Sequence, residues 1–141
     1  MLRAILAGLI FLGFYTVASA QDVSPGDKTE FQRIITSQIE AFRVDDGQKA
    51  YSFAAPIVQK LFPTPDTFMA MVKQGYPQVY RPQSFKFEEA ALDPVGRPSQ
   101  KVLIVGPNGQ AYEALYTMEK QADGTWLIAG CSILEVPGVN T

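Results

Sequence analysis

From Ser84 onward the chain supplies one strand-like run after another, with too little sequence between them for anything but antiparallel pairing. Ser84–Leu92 alternates Phe85 and Phe87 with charged residues, and Gln100–Val105 contains the apolar run KVLIV. Pro107-Asn108-Gly109 marks a tight hairpin, Asn-Gly being the strongest two-residue turn signal. Ala111–Lys120 (AYEALYTMEK) reads as the next strand, Ala122-Asp123-Gly124 turns the chain again, and Thr125–Glu135 forms the last strand. Parallel strands need a crossover of a dozen or more residues, so short turns between runs require an antiparallel meander of about four strands.

Helical signals occupy the preceding half. Asp27 is a cap candidate with Glu30 completing a D-x-x-E variant of the capping box. Phe31, Ile34, Ile35, Ile39 and Phe42 follow at helical spacing, which predicts one apolar stripe against a core. That helix ends near Asp45-Asp46-Gly47, and a shorter one runs over roughly Gln48–Ala55 until Pro56 interrupts it. In the third, TPDTFMAMVKQG (64–75), Thr64 caps and Pro65 suits the first helical position. Asp66 complements the dipole, Phe68, Met71 and Val72 face one way, and Gly75 supplies a left-handed stop. Tyr76 and Arg81 each precede proline, so GYPQVYRP (75–82) is expected to be an extended connector. The order predicts an α+β fold, three N-terminal helices packed on a curved antiparallel sheet of about four strands.

The last strand is apolar on both sides. Strict alternation places Trp126, Ile128 and Leu134 on one face and Leu127, Ala129, Cys131 and Ile133 on the other. An antiparallel sheet with one wet face alternates cleanly, so something should cover the second face. A second copy of the chain is the simplest cover, and a homodimer through the outer sheet face is the expectation. A separate partner, with this chain as its accessory subunit, is the other candidate.

Residues 1–20 stand apart from this pattern. Arg3 precedes an apolar run from Ala4 to Val17, then Ala18-Ser19-Ala20, which fits a signal-peptidase site between Ala20 and Gln21. The run is shorter than the roughly 18–20 residues a membrane span needs, which argues against an uncleaved anchor. The expected organisation is a cleaved signal peptide (1–20), a flexible leader (21–26), one α+β domain (27–136) and a tail (137–141), exported to the periplasm or beyond. Without Arg3, 11 basic residues of the original 12 face 14 acids, and they are scattered. That excludes a phosphate-tracking stripe, so neither nucleic acid nor, after cleavage, a membrane is an expected partner. Cys131 is the single cysteine, and in the run WLIAGCSIL it reads as a buried, inert thiol. A reactive one needs exposure and a nearby cation, which no sequence neighbour supplies.

Three stretches together resemble a known family: ITSQIEAFRVDDGQKAYSFAAP, TPDTFMAMVKQGYPQVYRP and DGTWLIAGC. They are similar to the secreted bacterial proteins described as domain of unknown function 4864. The likeness covers the chain from about Thr29 to Cys131. It implies a fold similar to nuclear transport factor two, a cystatin-like α+β cone whose helices lie in the concave side of a bent sheet and leave a cavity. It implies no catalytic residues.

The chain has no histidine. Ser-His-Asp and Cys-His nucleophilic systems are therefore excluded, along with nearly all zinc and non-haem iron sites. There is no phosphate loop, GPNG (106–109) reading as a hairpin, and Asp45-Asp46-Gly47 lacks the spaced oxygens of a calcium loop. No cofactor and no metal is expected. What remains is carboxylate and phenol chemistry. Similar cone folds host isomerases that pair an aspartate base with a tyrosine donor. Tyr51, Tyr76, Tyr80, Tyr112 and Tyr116, with Glu89 or Glu113, are the groups for an isomerase- or dehydratase-like reaction of that kind. The competing and preferred reading is a non-catalytic binding or interaction module for a small apolar or anionic ligand. Tyr76, Tyr80 and Arg81 are its candidate ligand residues, because their connector leaves the third helix near the cavity mouth. Arg81 bonded to a local carbonyl or acid is the structural alternative.

Overall fold

Helix α1 (Pro25–Arg43) opens the described part of the chain, which in this computed structural model comprises Gly13 and residues 23–136. The expected signal peptide, the Ala20–Gln21 cleavage site and the 137–141 tail lie outside the described residues. Ser24 caps α1, its Oγ accepting from Asp27 N–H at 3.1 Å. The helix thus starts two residues before Asp27, with Pro25 at the first turn, where a missing N–H costs nothing. Asp27 does not cap. Its carboxylate accepts the indole N–H of Trp126 at 3.2 Å, while Glu30 pairs with Arg33 instead of closing a box. All five stripe residues, Phe31, Ile34, Ile35, Ile39 and Phe42, are buried.

Two further helices depart from expectation at prolines. Helix α2 (Gly47–Ser52) is capped by Asp46, which accepts from Lys49 N–H at 3.1 Å, and it stops at Ser52, short of Ala55. Pro56 then begins a helix, α3 (Pro56–Leu61), which was not foreseen; none of its residues is buried. Helix α4 (Pro65–Gly75) follows the predicted signals, with Thr64 and Thr67 capping each other reciprocally. Gly75 is not among the left-handed glycines; the cap is Tyr76, whose N–H bonds Val72 O at 2.9 Å. GYPQVYRP is not extended throughout. Tyr76 (φ −135°) and Arg81 (φ −142°) do avoid helical backbone, but Pro77–Tyr80 between them forms a single turn, α5.

Strands β1 (Ser84–Leu92), β2 (Pro98–Val105), β3 (Ala111–Lys120) and β4 (Trp126–Glu135) form one antiparallel sheet in sequence order. The hairpin at 107–109 is a three-residue loop and not a two-residue one. Gly106 N–H bonds Gln110 O at 2.9 Å, Gly109 N–H bonds Gly106 O at 3.0 Å, and Gly109 takes φ +79°.

Two bulges bend the sheet and reset its faces. In β1, Glu88 and Glu89 together oppose Lys101, and the buried Gln100 amide donates to both of their carbonyls at 3.0 and 3.3 Å. In β4, Thr117 pairs with Gly130 but Met118 with Ile128, leaving Ala129 as the extra residue. One inserted residue flips every side chain beyond it. Cys131 (opposite Tyr116) and Ile133 (opposite Ala114) therefore share the helix-covered face with Ile128, and Leu134 (opposite Glu113) does not. The expected grouping of Ile128 with Leu134 is corrected accordingly. The outer face is mixed: Lys101 reaches Glu89 at 3.0 Å and Glu113 at 3.7 Å among Leu103 and Leu115, and Leu134 is 67% exposed.

The core lies between α1 and the inner face, where Phe31, Ile34, Ile35 and Ile39 join Val102, Ile104, Ala114 and Met118 in one buried cluster. Phe31 meets Trp126 edge-on, with ring centroids 4.8 Å apart at 83°. Phe31→Ala should cost about 3–5 kcal/mol in chemical denaturation, and Leu134→Ala about 0.5 kcal/mol or less. Equal losses at the two positions would mean that the inner and outer faces are misassigned.

Candidate functional site

Between the helices and the sheet the packing does not close. A cavity of about 420 Å³ remains, within the roughly 300–1,000 Å³ of small-molecule sites. Gln38 and Phe42 reach it from α1, Val58 and Leu61 from α3, and Phe68, Met71 and Val72 from α4. Tyr116 of β3 and the Ile128–Cys131 segment of β4 form its sheet side. The β4 bulge matters here, since it turns Cys131 inward beside Tyr116. Segment Phe53–Ala55 holds the helical wall against the sheet. Ile128 N–H donates to Phe53 O, and Ala55 N–H to Ile128 O, both at 2.8 Å. The far end of α3 is tied by the Tyr51 hydroxyl, which donates to Phe62 O at 2.7 Å. Leu61 is 69% exposed, which places the mouth at the end of α3.

Polar atoms in this lining are few. Gln38 donates its side-chain amide to Ala50 O at 3.1 Å. The Tyr116 hydroxyl is fully buried and finds no nitrogen or oxygen partner among the described residues, with the Cys131 thiol beside it. Burial holds its pKa well above the usual phenol range, with Cys131 beside it adding a smaller push. The Cys131 thiol is pushed up to about 12 by burial, partly offset by the Tyr116 hydroxyl. It is a neutral thiol at physiological pH, with no reactive thiolate character. No Asp, Glu, Lys or Arg is among the described residues that line the cavity.

The three predicted ligand residues divide. Tyr76 lines the cavity with Val79. Tyr80 and Arg81 turn instead to Asp45, in the α1–α2 connection. The Tyr80 hydroxyl donates to Asp45 Oδ1, and Arg81 Nη2 reaches Oδ2 at 3.0 Å with its guanidinium 4.7 Å above the Tyr80 ring. Lys73 adds a contact to Asp45 at 3.9 Å. The Tyr80 bond foremost, then Arg81 and Lys73, holds the Asp45 carboxyl below its ordinary range. Asp45 has φ +53°, a left-handed conformation that aspartate tolerates better than most residues. The candidate acids Glu89 and Glu113 sit on the outer face with Lys101, across the sheet from the cavity. Tyr112 bonds Asn108 at 3.2 Å near a hairpin.

Gln38 and α3 were missed by sequence reasoning. A glutamine on an apolar stripe signals a buried partner only weakly, and the apolar residues of α3 were hidden behind Pro56. Tyr116 was one of five phenols with nothing local to distinguish it.

The sequence profile of the family described as Domain of unknown function (DUF4864) matches residues 24–141. No curated protein matches, and no solved structure matches. Among the described residues, no helix is long and apolar enough to cross a membrane.

The half-buried Cys131, whose thiol is held protonated, sets a pH dependence. Between about pH 9.0, the ordinary value, and 12 the unfolded chain has released the Cys131 proton while the folded chain retains it. Unfolding then releases a proton, so stability falls as pH rises through this window. Thermal melts from pH 8 to 11 should show a falling Tm, and Cys131→Ala should flatten part of the fall. Parallel profiles for the two proteins would mean that the thiol keeps its ordinary pKa.

Proposed function

The chain belongs to the DUF4864 family of domains of unknown function, and from that premise we propose that it is an exported, non-catalytic module holding a small apolar molecule. The observation that carries this is the apolar cavity of about 420 Å³ between helices and sheet. A concave, mainly apolar pocket of this size with a few polar groups is the form that small-molecule sites take. Tyr76 is the predicted ligand residue assigned to contact that molecule. Tyr80 and Arg81 act on it through the wall, by clamping α4 and α5 to the Asp45 corner. Export rests on the apolar segment and the Ala18-Ser19-Ala20 signal in the sequence. The isomerase-like alternative needs a carboxylate beside a phenol, and the position of Glu89 and Glu113 on the other sheet face disfavours it.

The fluorophore N-phenyl-naphthylamine brightens in apolar sites and reads the cavity directly. It should bind the wild type saturably, and Val58→Trp, which puts an indole into the cavity, should weaken it at least about tenfold with little change in Tm. Unaltered binding in that variant would move the site elsewhere. The homodimer through the outer sheet face remains a separate proposal, which would bury Leu134 together with the Lys101 cluster. Static light scattering at micromolar concentration should give twice the monomer mass, and a monomer removes it.

A further inference from the structure

We infer that the cavity selects a neutral, oxygen-bearing apolar molecule, an alcohol or ketone, and takes it polar end first onto the Tyr116 hydroxyl. The inference rests on the reading above that the cavity holds a small molecule, and goes on to its class and orientation.

Three observations point the same way. Tyr116 is 1% exposed, yet it lines the cavity, and beyond the neighbouring Cys131 thiol its hydroxyl has no nitrogen or oxygen partner among the described residues. Buried hydroxyls are normally satisfied, so an orphan on a residue that lines the cavity marks where a ligand oxygen would sit. Second, Gln38 is 4% exposed and uses its amide N–H on Ala50 O, which leaves its carbonyl oxygen as an acceptor in the same lining. A hydroxyl ligand offers both halves of the match, an acceptor for the phenol and a donor for the amide oxygen. A ketone offers the first alone. Third, the lining holds no charged side chain among the described residues. A carboxylate or ammonium entering it would shed water and meet no counter-charge, which an ion does not tolerate in apolar surroundings.

The distribution of polarity sets the orientation. Tyr116 and Gln38 are the buried polar residues of the lining, while Leu61 is 69% exposed and Met71 and Tyr76 half-buried, so its outward part is mainly apolar, the Tyr76 phenol apart. An amphiphile with its head at the mouth would leave both inner groups unpaired. Head-inward entry satisfies them and leaves the tail against the Phe62, Phe68 and Met71 side chains. The raised pKa of Tyr116 keeps the phenol protonated, and so a donor, throughout the physiological range.

The test is competition against N-phenyl-naphthylamine on the purified full chain at pH 8, using decanol, its methyl ketone analogue and decanoate, which share chain length and differ in head group. Decanol should displace the fluorophore at least about tenfold more effectively than decanoate, with the ketone between them. Tyr116→Phe, which removes one oxygen, should lower decanol affinity about tenfold more than it lowers the fluorophore's own affinity, measured in the same variant. Decanoate equal to or better than decanol overturns the inference while fluorophore binding still stands for the cavity reading. A decanol affinity that falls no more than the fluorophore's in Tyr116→Phe overturns it likewise. No binding of fluorophore or competitor overturns both. The comparison of decanol with decanoate uses wild-type protein alone, so it decides even where the variant does not fold.

Discussion

The main chain of Ile128 is the point on which the rest of the architecture depends. On one side it joins the sheet ladder opposite Met118, and on the other it exchanges two 2.8 Å bonds with the segment Phe53–Ala55. That parallel bridge ties the α2–α3 region to the edge strand. It also ends α2 at Ser52, because the backbone of residues 53–55 is committed to the strand. The next residue, Ala129, is the bulge. Pinned at Ile128 and displaced at Ala129, β4 swings away from the ideal ladder and presents Cys131 beside Tyr116. The cavity lies where this bend separates sheet from helices.

What keeps the cavity's outer wall in place differs in strength from what holds the core. The apolar cluster of α1 with β2 and β3 carries most of the stabilisation, since each fully buried Ile or Phe contributes about 1.5–3 kcal/mol. The corner at Asp45, where Tyr80, Arg81 and Lys73 converge, is exposed and screened by salt, so its part is chiefly geometric. It fixes α5 and the end of α4 relative to α1 and so holds Tyr76 and Val79 against the cavity. The wall formed by α3 is lighter still, with no buried residue and hydrogen bonds with Tyr51 at Gln59 in its middle and Phe62 at its end.

Much of this was legible from residue order. Strand runs bounded by turn residues placed the four-stranded meander, and 3.6-residue spacing placed the buried stripe of α1. The failures share a physical cause: local rules were extended past the residues to which they apply. The restriction before proline holds for Tyr76 and Arg81 themselves, but it says nothing of Pro77–Tyr80, which completed a helical turn. Pro56 was read as a stop, although proline is equally at home in the first turn of a helix. Alternation in an all-apolar strand cannot reveal an inserted residue, so the phase of β4 had to be wrong beyond Ala129. The site suffered most. Tyr76 was singled out from its neighbours in sequence and does line the cavity, whereas Tyr116 and Gln38 are brought to it only by pairing across the sheet and packing of α1.

The central claim is that the space beside Tyr116 is kept for an occupant. Native mass spectrometry of the protein recovered from its own cells tests this most directly. The account predicts a folded species carrying one small, uncharged organic adduct, released on denaturation and absent when the cavity is filled by Trp at position 58. A single mass equal to the bare polypeptide, with or without that substitution, would contradict it.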